Sequence, residues 1–200
     1  MADSSEMETE SRSEFRDWAL RIRESDRDAY AAVFQSMSAK LVRYAQNITR
    51  DQASAYDVIQ DVFLKLWTIR DRINPDSSLQ SLLYTMTRNT AINLNRKLSP
   101  MVHSDSEGGE QFDLADGQNS PLSDAVFEAK NLAGHLKEWI NELPGRRKEA
   151  FVLSRHHDLS HREISEIMGL SERTVNTHIF LALKFLRTRL NALQNDTAKR

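Results

Sequence analysis

Two hundred residues, 40% of them hydrophobic, with no cysteine and a formal charge of −2, allow one or two domains with modest cores. The missing cysteine excludes disulfides and thiolate metal sites, and it suits a chain that works in a reducing cytoplasm. The acidic N-terminal region lacks an apolar run long enough for a signal peptide or membrane span, so neither export nor membrane insertion is expected.

The small net charge conceals an alternation along the chain. Residues 1–29 hold five Lys/Arg against nine Asp/Glu, and residues 30–98 hold nine against five. Residues 99–142 hold two against nine, and residues 143–190 hold nine against five. Attraction to phosphates is set by local charge, so two basic blocks separated by an acidic one remain compatible with nucleic-acid binding. No period-two alternation of useful length occurs. The fold class expected is therefore all-α, with two small helical domains joined by a flexible acidic linker.

Residues 1–23 form an acidic extension that is partly helical, with a short helix expected around Phe15, Trp18, Ala19 and Ile22. Residues 24–98 form the first helical domain. Asp26 can cap an amphipathic helix over 29–48. A second helix is expected over 54–69, where Val58, Ile59, Val62 and Leu66 make an inward stripe and Asp57, Asp61 and Lys65 fall four apart on another side beside Gln60. Phe63 and Trp67, also four apart, suit either a partner surface or packing against an N-terminal helix. A third helix over 78–98 follows Asn74-Pro75-Asp76-Ser77 and ends on Arg96-Lys97. Its Tyr84, Thr87, Arg88, Asn89, Asn93 and Asn95 are hydrogen-bonders or aromatics, a mix that fits contacts to unstacked bases and phosphates.

Residues 99–121 contain five carboxylates, three glycines and no Lys or Arg, between Pro100 and Pro121. Such a segment cannot bury enough apolar surface to fold alone and reads as a linker.

Residues 122–192 form the second domain, followed by a tail at 193–200. Within it, Ser160 and Glu163 make a capping box, Gly169 supplies a tight turn and Ser171 caps a further helix. This is the spacing of a helix-turn-helix with a three-residue corner. Ile164, Ile167, Met168, Leu170, Val175, Ile179, Ala182, Leu183, Leu186 and Leu190 are assigned inward by helical spacing. Arg173, Asn176, Thr177, Phe180 and Lys184 are left on the outward arc. Asn can pair bidentately with adenine, Thr and Phe can touch a thymine methyl, and Arg and Lys can hold phosphate or guanine.

Three separated motifs together resemble a known family. Asp57-Val-Ile-Gln60-Asp61-Val-Phe-Leu-Lys-Leu-Trp67, then Leu83-Tyr84-Thr-Met-Thr-Arg88-Asn89-Thr-Ala-Ile-Asn93, then Leu143-Pro144 leading into the helix-turn-helix, resemble a bacterial RNA polymerase sigma factor of the extracytoplasmic-function (ECF) subfamily. The resemblance spans about residues 24–190. It implies a dissociable subunit that directs promoter recognition, DNA melting and transcription initiation. Asp57, Gln60 and Asp61 would dock on the clamp helices of the largest polymerase subunit. Tyr84, Arg88, Asn89 and Arg96 would hold the melted strand of the minus-ten element. Arg173, Asn176, Thr177, Phe180, Leu181 and Lys184 would contact the minus-thirty-five element. The linker would thread toward the RNA exit path, the flap region of polymerase would be a further contact, and an anti-sigma factor is an implied partner.

The chain departs from the family pattern at several positions. Leu82 stands where many members have Trp before the Leu-Tyr pair, and Ile73 to Ser78 lack the common Phe-Arg-Gly. Asn176, His178 and Leu181 stand where Arg is frequent. Fewer arginines imply weaker phosphate anchoring by the recognition helix and a smaller salt slope.

No nucleophile, base and orienter set can be assembled, and no Gly-rich phosphate loop occurs, so neither an enzyme nor a cofactor is expected. His156, His157 and His161 cluster, but only Asp158 and Glu163 lie near as carboxylates, and no metal site is expected. A polymerase-independent helix-turn-helix regulator is the alternative. Such a protein would carry a βα receiver or ligand-binding sheet in its N-terminal half, and residues 30–98 show no such pattern. An adaptor using Phe63 and Trp67 is a further rival, which leaves Asn89 and the outward arc without a role.

Overall fold

The computed structural model describes residues 3–98 and 124–197 and the side chains of 13–98 and 132–195, and among the described residues it has eight α-helices and one 3-10 turn. No strand occurs among the described residues. The expected linker, 99–121, lies outside them. Met1–Ser104 makes the body of one compact unit, and Asp105–Ser165 with Leu170–Arg200 the body of a second.

In the first unit α1 runs Asp3–Arg23, α2 Arg27–Thr49, α3 Gln52–Thr68 and α4 Leu79–Leu98, with the 3-10 turn at Arg70–Arg72. The N-terminal helix is one continuous element instead of a short one, because residues 3–23 contain neither Gly nor Pro to break it. Asp26 caps α2 by accepting from Asp28 N at 2.8 Å and Ala29 N at 3.1 Å. The Ala29 amide and then the Arg21 guanidinium hold its carboxyl below the ordinary carboxylate range. Asp51 caps α3 in the same way, accepting from Ser54 N at 2.7 Å, and α3 begins two residues earlier than its apolar stripe alone indicates.

These caps orient an apolar interior. Ala29, Val33, Met37, Leu41, Tyr44, Ala45 and Ile48 of α2 are buried, and so are Val58, Ile59, Val62 and Leu66 of α3. Burying each large aliphatic side chain contributes about 1.5–3 kcal/mol. Phe63 and Trp67 turn out to serve packing. Phe63 stands edge-on to Phe34 at 4.8 Å, Trp67 edge-on to Tyr30 at 5.1 Å, and the Tyr30 hydroxyl donates to Phe63 O at 3.0 Å. Arg70 closes the cluster with its guanidinium 4.7 Å from the Trp67 ring. Of the two readings of these aromatics, packing is the one their contacts support: Phe63 is buried against α2, and Trp67 packs there half-buried.

In the second unit α5 runs Asp124–Asn141, α6 Gly145–His156, α7 His161–Met168 and α8 Glu172–Thr197. α8 packs on α5 and α6, and its C-terminal half is tied to the end of α5 by an Arg189–Glu142 ion pair. The helix continues through Thr197, beyond the expected end of the domain at 192.

Candidate functional site

The corner between α7 and α8 is built from local polar chemistry. Glu163 N donates to Ser160 Oγ at 3.3 Å, and Ser160 N donates to Glu163 Oε2 at 3.0 Å, which completes the capping box. Gly169 has φ +64°, the left-handed conformation that ends a helix, and Leu170 N donates to Ser165 O at 3.0 Å. Thr174 N donates to Ser171 Oγ at 3.1 Å, so α8 is capped as well. Two caps and one left-handed glycine thus set the angle at which α8 leaves the corner.

The buried side of α8 is Val175, Ile179, Ala182 and Leu186. Its exposed side is Arg173, Asn176, Thr177, Phe180 and Lys184. Phe180 is 62% exposed, so its ring is accessible within this arc. The Thr177 hydroxyl donates to Arg173 O at 2.9 Å, which leaves its methyl group and oxygen lone pairs facing outward. Leu181, at the edge of this arc, is half-buried and offers only part of its side chain. Leu183, assigned inward from spacing, is instead 40% exposed. It sits one helical step past Ala182, where the packed stripe has already turned away.

His178 lies between the two sides. Burial, then the charges of Arg147 and Arg146, push its imidazole pKa down, so it is neutral at neutral pH. A neutral ring at this position adds no positive charge to the recognition arc.

On the first unit, α3 presents Asp57, Gln60 and Asp61 to solvent. Neither carboxylate makes an ion pair with another described residue. Leu64, 67% exposed, continues the same arc one turn further, and Tyr56 flanks it at 50% exposed. The sequence reading passed over these two apolar members, although Leu64 falls outside the Val58, Ile59, Val62, Leu66 stripe by phase. The two carboxylates and the exposed leucine thus lie side by side on one solvent-facing surface of α3.

α4 splits the residues that the sequence placed together. Tyr84 is 0% exposed, with its ring edge-on to Tyr44 at 5.3 Å, so it cannot stack on a base. The physical reason is its phase: Tyr84, Thr87, Ala91 and Asn95 share the side packed on α2. Thr87 donates to Leu83 O at 2.8 Å and Asn95 Nδ2 donates to Ile48 O at 2.8 Å, so both are satisfied within the fold. Arg88 is half-buried and already engaged with the protein. Asn89, Asn93 and Arg96 remain exposed at i, i+4 and i+7, one stripe along the outer face. Asn93, one of the polar α4 residues singled out in the sequence but not in the set that the resemblance implied for the melted strand, belongs to this stripe.

His157 is buried while His156 and His161 are exposed, and no group of three His, Cys, Asp or Glu side chains able to hold a metal occurs among the described residues. No helix among those residues is long and apolar enough to cross a membrane.

Comparisons with known proteins place these surfaces in context. Residues 33–100 match the family model for Sigma-70 region 2, and residues 136–186 match that for Sigma-70, region 4. The ECF RNA polymerase sigma factor SigM of Bacillus subtilis is 30% identical over 165 residues, covering 82% of this chain and 93% of that protein. The structure of CnrH in complex with the cytosolic domain of CnrY shares the fold at a TM-score of 0.63 and 19% identity, covering 90% of this chain and 98% of CnrH. The structure of the sigma factor RpoE with the anti-sigma factor NepR from Bartonella quintana matches at a TM-score of 0.60 and 22% identity, over 81% of this chain and 96% of RpoE.

Proposed function

The chain belongs to the ECF RNA polymerase sigma factors, which direct transcription initiation, and from that premise we infer how its exposed side chains divide the work. The observation that carries the assignment is the pair of outward arcs, α3 with unpaired carboxylates and α8 with a capped, hydrogen-bonding reading face.

Asp57, Gln60 and Asp61, with Leu64, dock the first unit on the clamp helices of the polymerase. Asn89 and Arg96 hold the melted strand of the minus-ten element. Opening DNA costs about 1.4 kcal/mol per stacked step, and binding an extruded base offsets part of that cost. With Tyr84 committed to the core, capture rests on hydrogen bonds from Asn89 and on charge from Arg96, assisted by Arg88, and not on aromatic stacking. Arg173, Asn176, Thr177, Phe180 and Lys184 read and anchor the minus-thirty-five element, with Leu181 contributing an apolar edge. The chain itself is no enzyme: bond formation belongs to the polymerase. It acts in the cytoplasm, where that polymerase works. By analogy with the complex of RpoE and NepR, an anti-sigma factor is a partner, and the exposed Phe34, Tyr56 and Leu64 give it apolar surface to cover.

Asp61→Arg should abolish co-purification with core polymerase while the helical circular dichroism stays intact. Asn89→Ala should lower permanganate reactivity of the promoter more than it lowers closed-complex binding. Normal assembly of the first variant, or unchanged reactivity in the second, removes the corresponding role.

A further inference from the structure

Charge in the first unit is sorted by element. From Ala29 to Thr49, α2 contains Lys40 and Arg43 and no Asp or Glu, and α4 contains Arg88, Arg96 and Lys97 and none either. Asp28 sits in the first turn of α2, and the carboxylates after it lie elsewhere, with Asp57 and Asp61 on α3, Asp71 in the 3-10 turn and Asp76 in the loop before α4. Asp51, beside Arg50, is committed to capping α3.

Two contacts set α4 against the C-terminal half of α2: the Tyr44–Tyr84 ring pair at 5.3 Å and the Asn95 Nδ2 to Ile48 O hydrogen bond at 2.8 Å. Arg96 and Lys97 follow Asn95 directly, and Arg50 comes two residues after Ile48, so these three exposed cations share one end of the helix pair. Arg43 adjoins Tyr44, and Lys40 lies one turn before it, both exposed. At about 100° per residue, Lys40 and Arg43 fall roughly 60° apart on α2, and Arg50 follows as its left-handed C-cap. Neither Lys40 nor Arg43 makes an ion pair or side-chain hydrogen bond with another described residue.

We propose that this flank of α2 is a phosphate track for double-helical DNA, adjoining the α4 residues assigned to the melted strand; the inference rests on the sigma-factor reading above. A single strand would call for exposed aromatic rings as stacking platforms, and the two tyrosines at this helix pair are fully buried. Cations without aromatics or base-reading amides match a backbone that is gripped without being read. The track also places phosphate anchoring on the first unit, where the arginine-poor arc of α8 leaves it short.

The test uses holoenzyme assembled from the full chain and core polymerase, with a duplex fragment that the parent holoenzyme selects from a genomic library. Binding is measured against salt for the parent, K40Q/R43Q, the charge-retaining K40R/R43K, and the remote pair R23Q/R27Q. K40Q/R43Q should shrink the slope of log K against log salt by about 1.8, the value for two lost phosphate contacts at 0.9 each. Its assembly with core and its start site should be unchanged, and K40R/R43K should keep the parent slope. An unchanged slope in K40Q/R43Q, or an equal loss in R23Q/R27Q, overturns the track and leaves the sigma-factor reading standing. A parent holoenzyme that selects no fragment brings down both.

Discussion

α4 and α8 each carry a run of hydrogen-bonding side chains, yet only α8 keeps that run at its surface. The difference lies in how many neighbours each helix has. α8 packs along one side, on α5 and α6, so the side away from its apolar stripe is left to solvent. α4 touches α1, α2 and α3, so polar residues at several phases are drawn inward and satisfied there. Tyr84, Thr87 and Asn95 were captured in this way, whereas Asn176, Thr177 and Phe180 were not. A polar side chain on a helix is therefore a ligand candidate only after its helix's neighbours are counted.

The largest test of this contrast is Tyr84→Ala. Removing a fully buried aromatic should cost about 3–5 kcal/mol and lower the thermal unfolding temperature markedly, whereas Asn89→Ala should stay within about 0.5 kcal/mol of the parent. A Tyr84→Ala chain that melts like the parent but fails to open promoters would return this residue to the DNA surface. On α8, Asn176→Ala should leave the melting curve in place and reduce discrimination within the upstream element by about 1–3 kcal/mol, measured by competition between sequence variants bound to holoenzyme. If stability fell instead, the surface assignment of that arc would fail.

Smaller effects test the corner that aims α8. Ser160→Ala removes the hydroxyl that accepts from Glu163 N and donates to Glu163 Oε2, leaves the Ser160 N–H bond to Glu163 in place, and should cost about 1 kcal/mol in thermal unfolding. Glu163→Ala removes that other half, and the shared Oγ–Oε2 bond should make the double variant lose less than the sum of the two. Additive losses would mean that the two residues act separately. The smallest expected effect is a pH dependence at His178. Its folded pKa lies below the ordinary 6.5, so on acidification the unfolded chain takes the proton first. The stabilisation is present above 6.5 and is lost as pH falls through the folded value. His178→Gln should flatten the change of unfolding temperature across that window, and an unaltered profile would assign the dependence to other groups.

Much of the architecture was legible from residues alone. Asp26, the Ser160–Glu163 box, Gly169 and Ser171 are local signals whose partners lie within three or four positions, and all four act in the structure as their spacing predicted. The α3 stripe and the exposed arc of α8 followed from period alone, because each helix buries one contiguous face. The roles of Phe63, Trp67 and Tyr84 could not be obtained that way. Their partners Tyr30, Phe34 and Tyr44 are between 29 and 40 positions distant, and only the packing of α2 against α3 and α4 brings them within ring contact. Local hydrogen bonding and helical phase determined where the helices begin, end and turn. Which aromatic or polar groups were consumed in joining them, and which remained at the surface, was decided by tertiary contact, since burial depends on neighbours that no single helix contains.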